Sequence, residues 1–206
     1  MKEIQPQTNM TDEQILAAFE DCDAIKKGHF KLTSGLHSDT YFQCARVLER
    51  TGLTNDLAQE AVARLPKGLE IDVVAAPAVG GILFGFAVAT ALGTNFIFSE
   101  RTEGKMAFRR SFFIEEGARV LVCEDVVTTG GSVQELIALI RDANAQVSAV
   151  VSMVDRGKRP DFASPYFPLI TLKTPSWPPE TCSLCLNGQK ITIPGSRDLA
   201  KNSIKP

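Results

Sequence analysis

Val120-Leu-Val-Cys-Glu-Asp-Val-Val-Thr-Thr-Gly-Gly-Ser132 decides the fold of this 206-residue chain. Val120 to Cys123 is the short, valine-rich run that a strand buried on both faces requires. Glu124 and Asp125 follow where that strand is expected to end. Thr128 to Ser132 is a turn of small residues. Beyond it, apolar residues at 133, 136, 137 and 140 have helical spacing, and Ser132 with Glu135 reads as a capping box. Small residues at a helix start leave backbone N–H groups open to a phosphate monoester. The acidic pair upstream suits vicinal hydroxyls instead. Together they describe a site for a ribose 5-phosphate. No Gly-Lys-Ser/Thr follows the turn, and no Gly-x-Gly-x-x-Gly is present, so neither common nucleotide motif applies.

Upstream, Ile71 to Ala76 reads as a second buried strand. The loop Pro77-Ala-Val-Gly80-Gly81 links it to an apolar helix, Ile82 to Leu92. Asn95 to Ser99 is a third strand. A polar stretch, Glu100 to Arg110, then separates it from an expected strand at Ser111 to Ile114. Downstream, Gln146 to Asp155 is the last expected core strand, with Arg156 at its end. Strand–helix alternation of this kind builds a twisted, mostly parallel sheet flanked by helices, with ligands at the C-terminal strand ends.

Toward the N-terminus, residues 1–10 are polar and expected to be loose. Thr11 and Gln14 form a second capping box, opening a helix with Ile15, Phe19, Cys22 and Ile25 on one stripe and an end near Gly28. His29 to Gln43 suggests two short strands carrying Phe30, Leu32, Tyr41 and Phe42. Thr54 to Leu65 is a further helix, with Leu57, Ala61 and Leu65 on one face.

Residues 120–132 resemble the phosphoribosyl-pyrophosphate (PRPP) motif of type I phosphoribosyltransferases. Phe30, Leu32, Ser34, Gly35, Ser38, Tyr41 and Phe42 resemble the hood of one branch, the orotate phosphoribosyltransferases. The resemblance covers about residues 11–160. It implies an α/β type I phosphoribosyltransferase fold: a single domain over 1–206, with hood elements at about 11–45 and in part of the 161–206 tail, and a core at about 54–160. It implies transfer of 5-phosphoribosyl from PRPP to orotate, giving orotidine 5′-phosphate and pyrophosphate in pyrimidine biosynthesis. Mg²⁺ would be the cofactor, carried by PRPP near Asp125, with no dedicated protein metal site. Arg101, Lys105, Glu124 and Asp125 are the implied catalytic residues. PRPP would be held by these four, by Gly80, and by Val126, Val127, Thr128, Thr129, Gly130, Gly131 and Ser132. Thr128, Arg156, Tyr41 and Phe42 would hold orotate, the arginine fork suiting its carboxylate. The segment 100–110 would be a flexible catalytic loop shared across a homodimer. The chain departs from the common pattern at Thr33, at Val79-Gly80, and at Thr102 and Ala107 in the loop.

Composition narrows the alternatives. With 22 Lys and Arg against 24 Asp and Glu, net charge is −2. No global basic field draws nucleic acid, which disfavours a PRPP-sensing regulator that binds DNA. The hood disfavours a purine as base. No apolar run reaches membrane-spanning length and no signal pattern opens the chain, so a cytoplasmic location is expected by default. Cys22, Cys44, Cys123, Cys182 and Cys185 read as reduced thiols. Cys182-x-x-Cys185 has no second pair, and His29 and His37 lie far away in sequence, so the sequence argues against zinc within one chain. The Pro-rich tail from Pro165 to Pro179 holds one expected strand, Phe167 to Leu172, and is expected to pack onto the core or a partner.

Overall fold

A computed structural model describes residues 9–32, 34–157 and 161–194. The expectations for residues 1–8, for Thr33 and for the chain beyond 194 lie outside the described residues. Helix α1 (Asp12–Asp21) leads into the hairpin β1 (Ile25–Lys31) and β2 (His37–Phe42). Helices α2 (Ala45–Leu48) and α3 (Thr51–Ala63) follow, then β3 (Val73–Pro77), α4 (Gly81–Leu92), β4 (Asn95–Thr102) and β5 (Lys105–Phe108). The chain continues through β6 (Arg119–Val127), α5 (Gly131–Asp142), β7 (Gln146–Asp155), β8 (Tyr166–Thr171), β9 (Ser176–Trp177) and α6 (Ser183–Leu186).

The main sheet has the order β5-β4-β3-β6-β7-β8. Every pair in it is parallel except β4 with β5. Period-two alternation divides its side chains. Val74, Ala76, Leu121, Cys123, Val151 and Met153 face one core with Ile15, Phe19, Leu57, Ala61, Phe84 and Val88. Ala75, Val120, Val122 and Val150 face the other with Val133, Leu136, Ile137 and Ile140 of α5. The expected stripe of α5 is therefore buried throughout. A second sheet, β1-β2-β9, forms the hood, and the tail strand β9 pairs with β2 through His37–Trp177 and Ser38–Ser176. Among the described residues no helix is long and apolar enough to cross a membrane.

Several expectations need correction. Helix α1 has the Thr11–Gln14 capping box but stops at Asp21, and Ile25 opens a strand. The strand after the polar stretch is Lys105–Phe108, not 111–114. A turn at Glu103-Gly104, both with positive φ, folds β5 straight back onto β4. Gln146–Asp155 is not the last strand of the main sheet, because the expected tail strand, present as β8, extends that sheet in parallel beside β7. Strand β6 runs past Cys123 through both acids to Val127, because β7 is long enough to keep pairing with it.

Candidate active site

A cleft of about 480 Å³ opens at the C-terminal ends of β6 and β7, between the main sheet and the hood. Glu124 to Val133 form its floor and one wall. Leu32, Ser34, Tyr41 and Phe42 of the hood form another, and Arg101 and Arg156 also reach it. Of the residues expected to act in catalysis or binding, Lys105 and Gly80 are not in its lining, and of the hood residues Phe30, Gly35 and Ser38 are not. Lys105 sits exposed at the start of β5. Lys31, Glu135 and Pro194 line the cleft without having been singled out. Lys31 carried no pattern beyond one charge in a strand. The spacing of Glu135 from Ser132 points to a cap instead.

The turn does not use Ser132 as its cap. Gly130 is the N-cap of α5, in the left-handed region (φ 77°), where a side chain would be strained. No side chain caps this helix. Its first N–H groups therefore face the cleft, as anion binding requires. Glu135 instead accepts from Arg101 Nη2 at 2.7 Å, and Arg101 Nη1 donates to the Gly104 carbonyl at 3.2 Å.

The acidic pair is asymmetric. Glu124 is buried, and burial first, then the adjacent Asp125 charge, pushes its carboxyl well above the usual carboxylate range. Asp125 leans across to the loop after β3. A Cβ on Gly80 would stand 2.6 Å from Asp125 Oδ2 and 2.7 Å from Oδ1. Glycine at 80 is thus the space that the Asp125 carboxylate occupies. Burial, then Asp125, also raises the Tyr41 phenol.

Arg156 directly follows β7 and is 6% exposed. Its Nε donates to Thr174 Oγ1 at 2.8 Å, and its Nη2 donates to Ser38 Oγ at 2.9 Å and to the Thr40 carbonyl at 3.2 Å. Its guanidinium lies 5.7 Å from the centre of the Phe42 ring. Core, hood and tail thus meet on one side chain. Among the described residues Nη1 makes no hydrogen bond.

A second cluster stands apart from the cleft lining. His29, His37, Cys182 and Cys185 offer four ligand atoms within 4.8 Å of one another. The sequence separation that argued against such a grouping is overcome by the tail, which returns to pair with the hood.

The chain matches the phosphoribosyl transferase domain family over residues 49–178. The orotate phosphoribosyltransferase of Heliobacterium modesticaldum is 46% identical over 190 residues, covering 91% of this chain and all of that protein. That of Caldanaerobacter subterraneus is 43% identical over 191 residues, covering 92% and 100%. Among solved structures, an orotate phosphoribosyltransferase from Aeropyrum pernix superposes with a TM-score of 0.65 at 23% identity, over 77% of this chain and 94% of that one. An adenine phosphoribosyltransferase from Thermoanaerobacter pseudethanolicus gives 0.56 at 20%, over 65% and 88%, so the fold alone does not select a base. With near full-length relatives above 40% identity and the cleft built as described, the chain belongs to the orotate phosphoribosyltransferase family of type I phosphoribosyltransferases.

Proposed function

We propose that the protein transfers the 5-phosphoribosyl group from PRPP to orotate, releasing pyrophosphate and forming orotidine 5′-phosphate. The observation that carries this is the placement of Arg156 beneath the hood, in the same cleft as the Thr128–Ser132 turn and the acidic pair. The turn N–H groups would take the 5′-phosphate. Glu124 and Asp125 would hold the ribose hydroxyls and steady positive charge developing at C1 as its bond to pyrophosphate breaks and the base nitrogen bonds there. Arg156 would pair the orotate carboxylate, with Thr128, Tyr41 and Phe42 around the ring. Arg101 and Lys105 would cover the leaving pyrophosphate. The oxygen-only carboxylate pair suits a hard cation, so Mg²⁺ accompanying PRPP fits near Asp125 and would neutralise pyrophosphate charge. No covalent nucleophile is invoked.

A homodimer sharing the loop is part of this reading. It is supported by the exposed apolar face around α4, where Val79, Leu83 and Phe86 are 82%, 56% and 60% exposed. The exposure of Lys105, away from its own chain's cleft, fits a loop that serves a neighbour. The free thiols suit a reducing compartment such as the cytoplasm.

The deciding experiment follows orotate consumption by its ultraviolet absorbance with PRPP and Mg²⁺ present. Turnover is expected to vanish when any one of the three is left out. Turnover with adenine and none with orotate would overturn the choice of base.

Two further outcomes follow from the pair of acids. Gly80→Ala places a methyl group into the Asp125 carboxylate and displaces it. We expect kcat/KM for PRPP to fall by about 10- to 100-fold, since misplacement of roughly 1 Å costs this much, with melting nearly unchanged. An unaltered kcat/KM would show that Asp125 need not occupy this place. Separately, ribose hydroxyls donate more strongly to an ionised Glu124 than to a protonated one, so their binding favours the ionised form. Because its value without ligand is raised, PRPP binding should release a proton, and affinity should rise with pH between the ordinary carboxylate range and that raised value. Calorimetry in buffers of different ionisation heat would show the release, and Glu124→Gln should remove it. Equal release by both proteins would contradict this role.

A further inference from the structure

We propose that His29, His37, Cys182 and Cys185 form a structural zinc site that fastens the tail to the hood. The distances support coordination. His29 Nε2 and His37 Nδ1 are 3.1 Å apart. Both Cys182 Sγ and Cys185 Sγ lie 3.6 Å from His29 Nε2, and Cys185 Sγ lies 3.2 Å from His37 Nδ1. A tetrahedral zinc with ordinary Zn–N and Zn–S bonds sets its ligands about 3.3 Å apart for N–N and about 3.6 Å for N–S. The observed edges are close to these. Four soft or borderline donors converging in this way, two sulfur and two nitrogen, select zinc over magnesium or calcium.

The surroundings support the same assignment. His29 Nδ1 lies 2.8 Å from the carbonyl oxygen of Gln189, which requires the proton on Nδ1 and leaves the Nε2 lone pair facing the sulfurs. A carbonyl that orients the far nitrogen is the usual partner of a ligating histidine. His29, His37 and Cys182 are buried, and Cys185 closes the outer side. Four protein ligands leave no open position, so the site holds structure rather than performing chemistry.

What it would hold is specific. His29 and His37 sit on β1 and β2; Cys182 and Cys185 sit at the start of α6 and within it. Backbone bonds already join the two parts: Thr192 N–H to the His29 carbonyl at 2.7 Å, and Lys31 N–H to the Thr192 carbonyl at 2.9 Å. The tail so fastened carries Pro175, whose carbonyl accepts from Ser38 at 2.7 Å, and Thr174, which accepts from Arg156. The clip stands behind the hood wall of the cleft.

The test is metal analysis of the full chain purified without chelator from zinc-supplemented cells. About one zinc per chain is expected, falling below about a tenth in the Cys182→Ser/Cys185→Ser variant. Apo wild-type chain titrated with Co²⁺ under reducing conditions should take one equivalent and show the ligand-field and thiolate charge-transfer bands of a tetrahedral dithiolate site. This arm decides the matter even if the variant does not fold. Stripping the metal should lower Tm on the order of 10 °C, restored by Zn²⁺ and not by Mg²⁺. Wild-type chain that binds no zinc after reconstitution, an octahedral cobalt spectrum, a variant that keeps its zinc, or a Cys182–Cys185 disulfide in the isolated protein would each overturn the proposal.

Discussion

Lys105→Ala is expected to lower kcat by at least about 100-fold while leaving KM for orotate within a few-fold. The reason is electrostatic. Pyrophosphate departs with several negative charges, and a cation brought over it at that moment acts on the transition state more than on the bound base. Lys105 lies at the start of β5, next to the Glu103-Gly104 turn, and is solvent-exposed. Arg101, its near neighbour across the hairpin, instead touches the cleft of its own chain and is paired with Glu135. The two cations of one hairpin are thus differently committed, and the lysine is the one free to serve a neighbouring cleft. A mixing experiment separates the possibilities. If the loop crosses to a partner, hybrids of Lys105→Ala with Arg156→Ala contain one intact site per dimer. Equimolar mixing of two nearly inactive proteins should then recover up to about a quarter of wild-type activity. No recovery, with hybrids demonstrated by native mass spectrometry, would place the loop over its own chain. A near wild-type kcat for Lys105→Ala would remove the residue from catalysis altogether.

What the sequence made legible was local. The α5 stripe, the Thr11–Gln14 box and the run 120–123 depend on neighbours within a turn or a strand, and each appears in the structure. The turn at 128–132 was legible for the same reason. What failed depended on partners distant in sequence. Glu124 and Asp125 read as the end of a strand because acids are poor strand formers, yet β7 carries the pairing on to Val127–Asp155. Ser132 and Glu135 matched a capping box by spacing alone. Gly130 took the cap, and the Glu135 side chain was drawn to Arg101, 34 residues away. The polarity of residues 100–110 predicts a loop leading to a strand at 111–114, but the two-residue turn starts the return strand at Lys105. The His and Cys cluster was least legible of all. Its three close His–Cys contacts span 148 to 156 residues, and only the return of the tail onto β2 brings them together.

Arg156→Ala should raise KM for orotate by about 100-fold or more, since loss of one partner from a desolvated, charge-assisted pair costs about 2–5 kcal/mol. Affinity for PRPP should stay within about threefold, because the turn and the acidic pair do not touch the guanidinium. The structure adds a complication: Arg156 also ties Thr174 of the tail and Ser38 and Thr40 of the hood to the end of β7. Truncation could therefore weaken orotate binding by loosening the hood rather than by removing the carboxylate's partner. Two measurements divide these causes. Arg156→Lys keeps the positive charge but loses the planar fork, so it should recover only part of the affinity if the carboxylate is held by two parallel N–H groups. An orotate analogue without its carboxylate should bind the wild type weakly and lose almost nothing further in Arg156→Ala, whereas a loosened hood would cost the analogue as much as it costs orotate. Equal losses for both ligands would move Arg156 from base recognition to support of the hood. The ribose-phosphate half of the cleft would then stand without an assigned reader for the base.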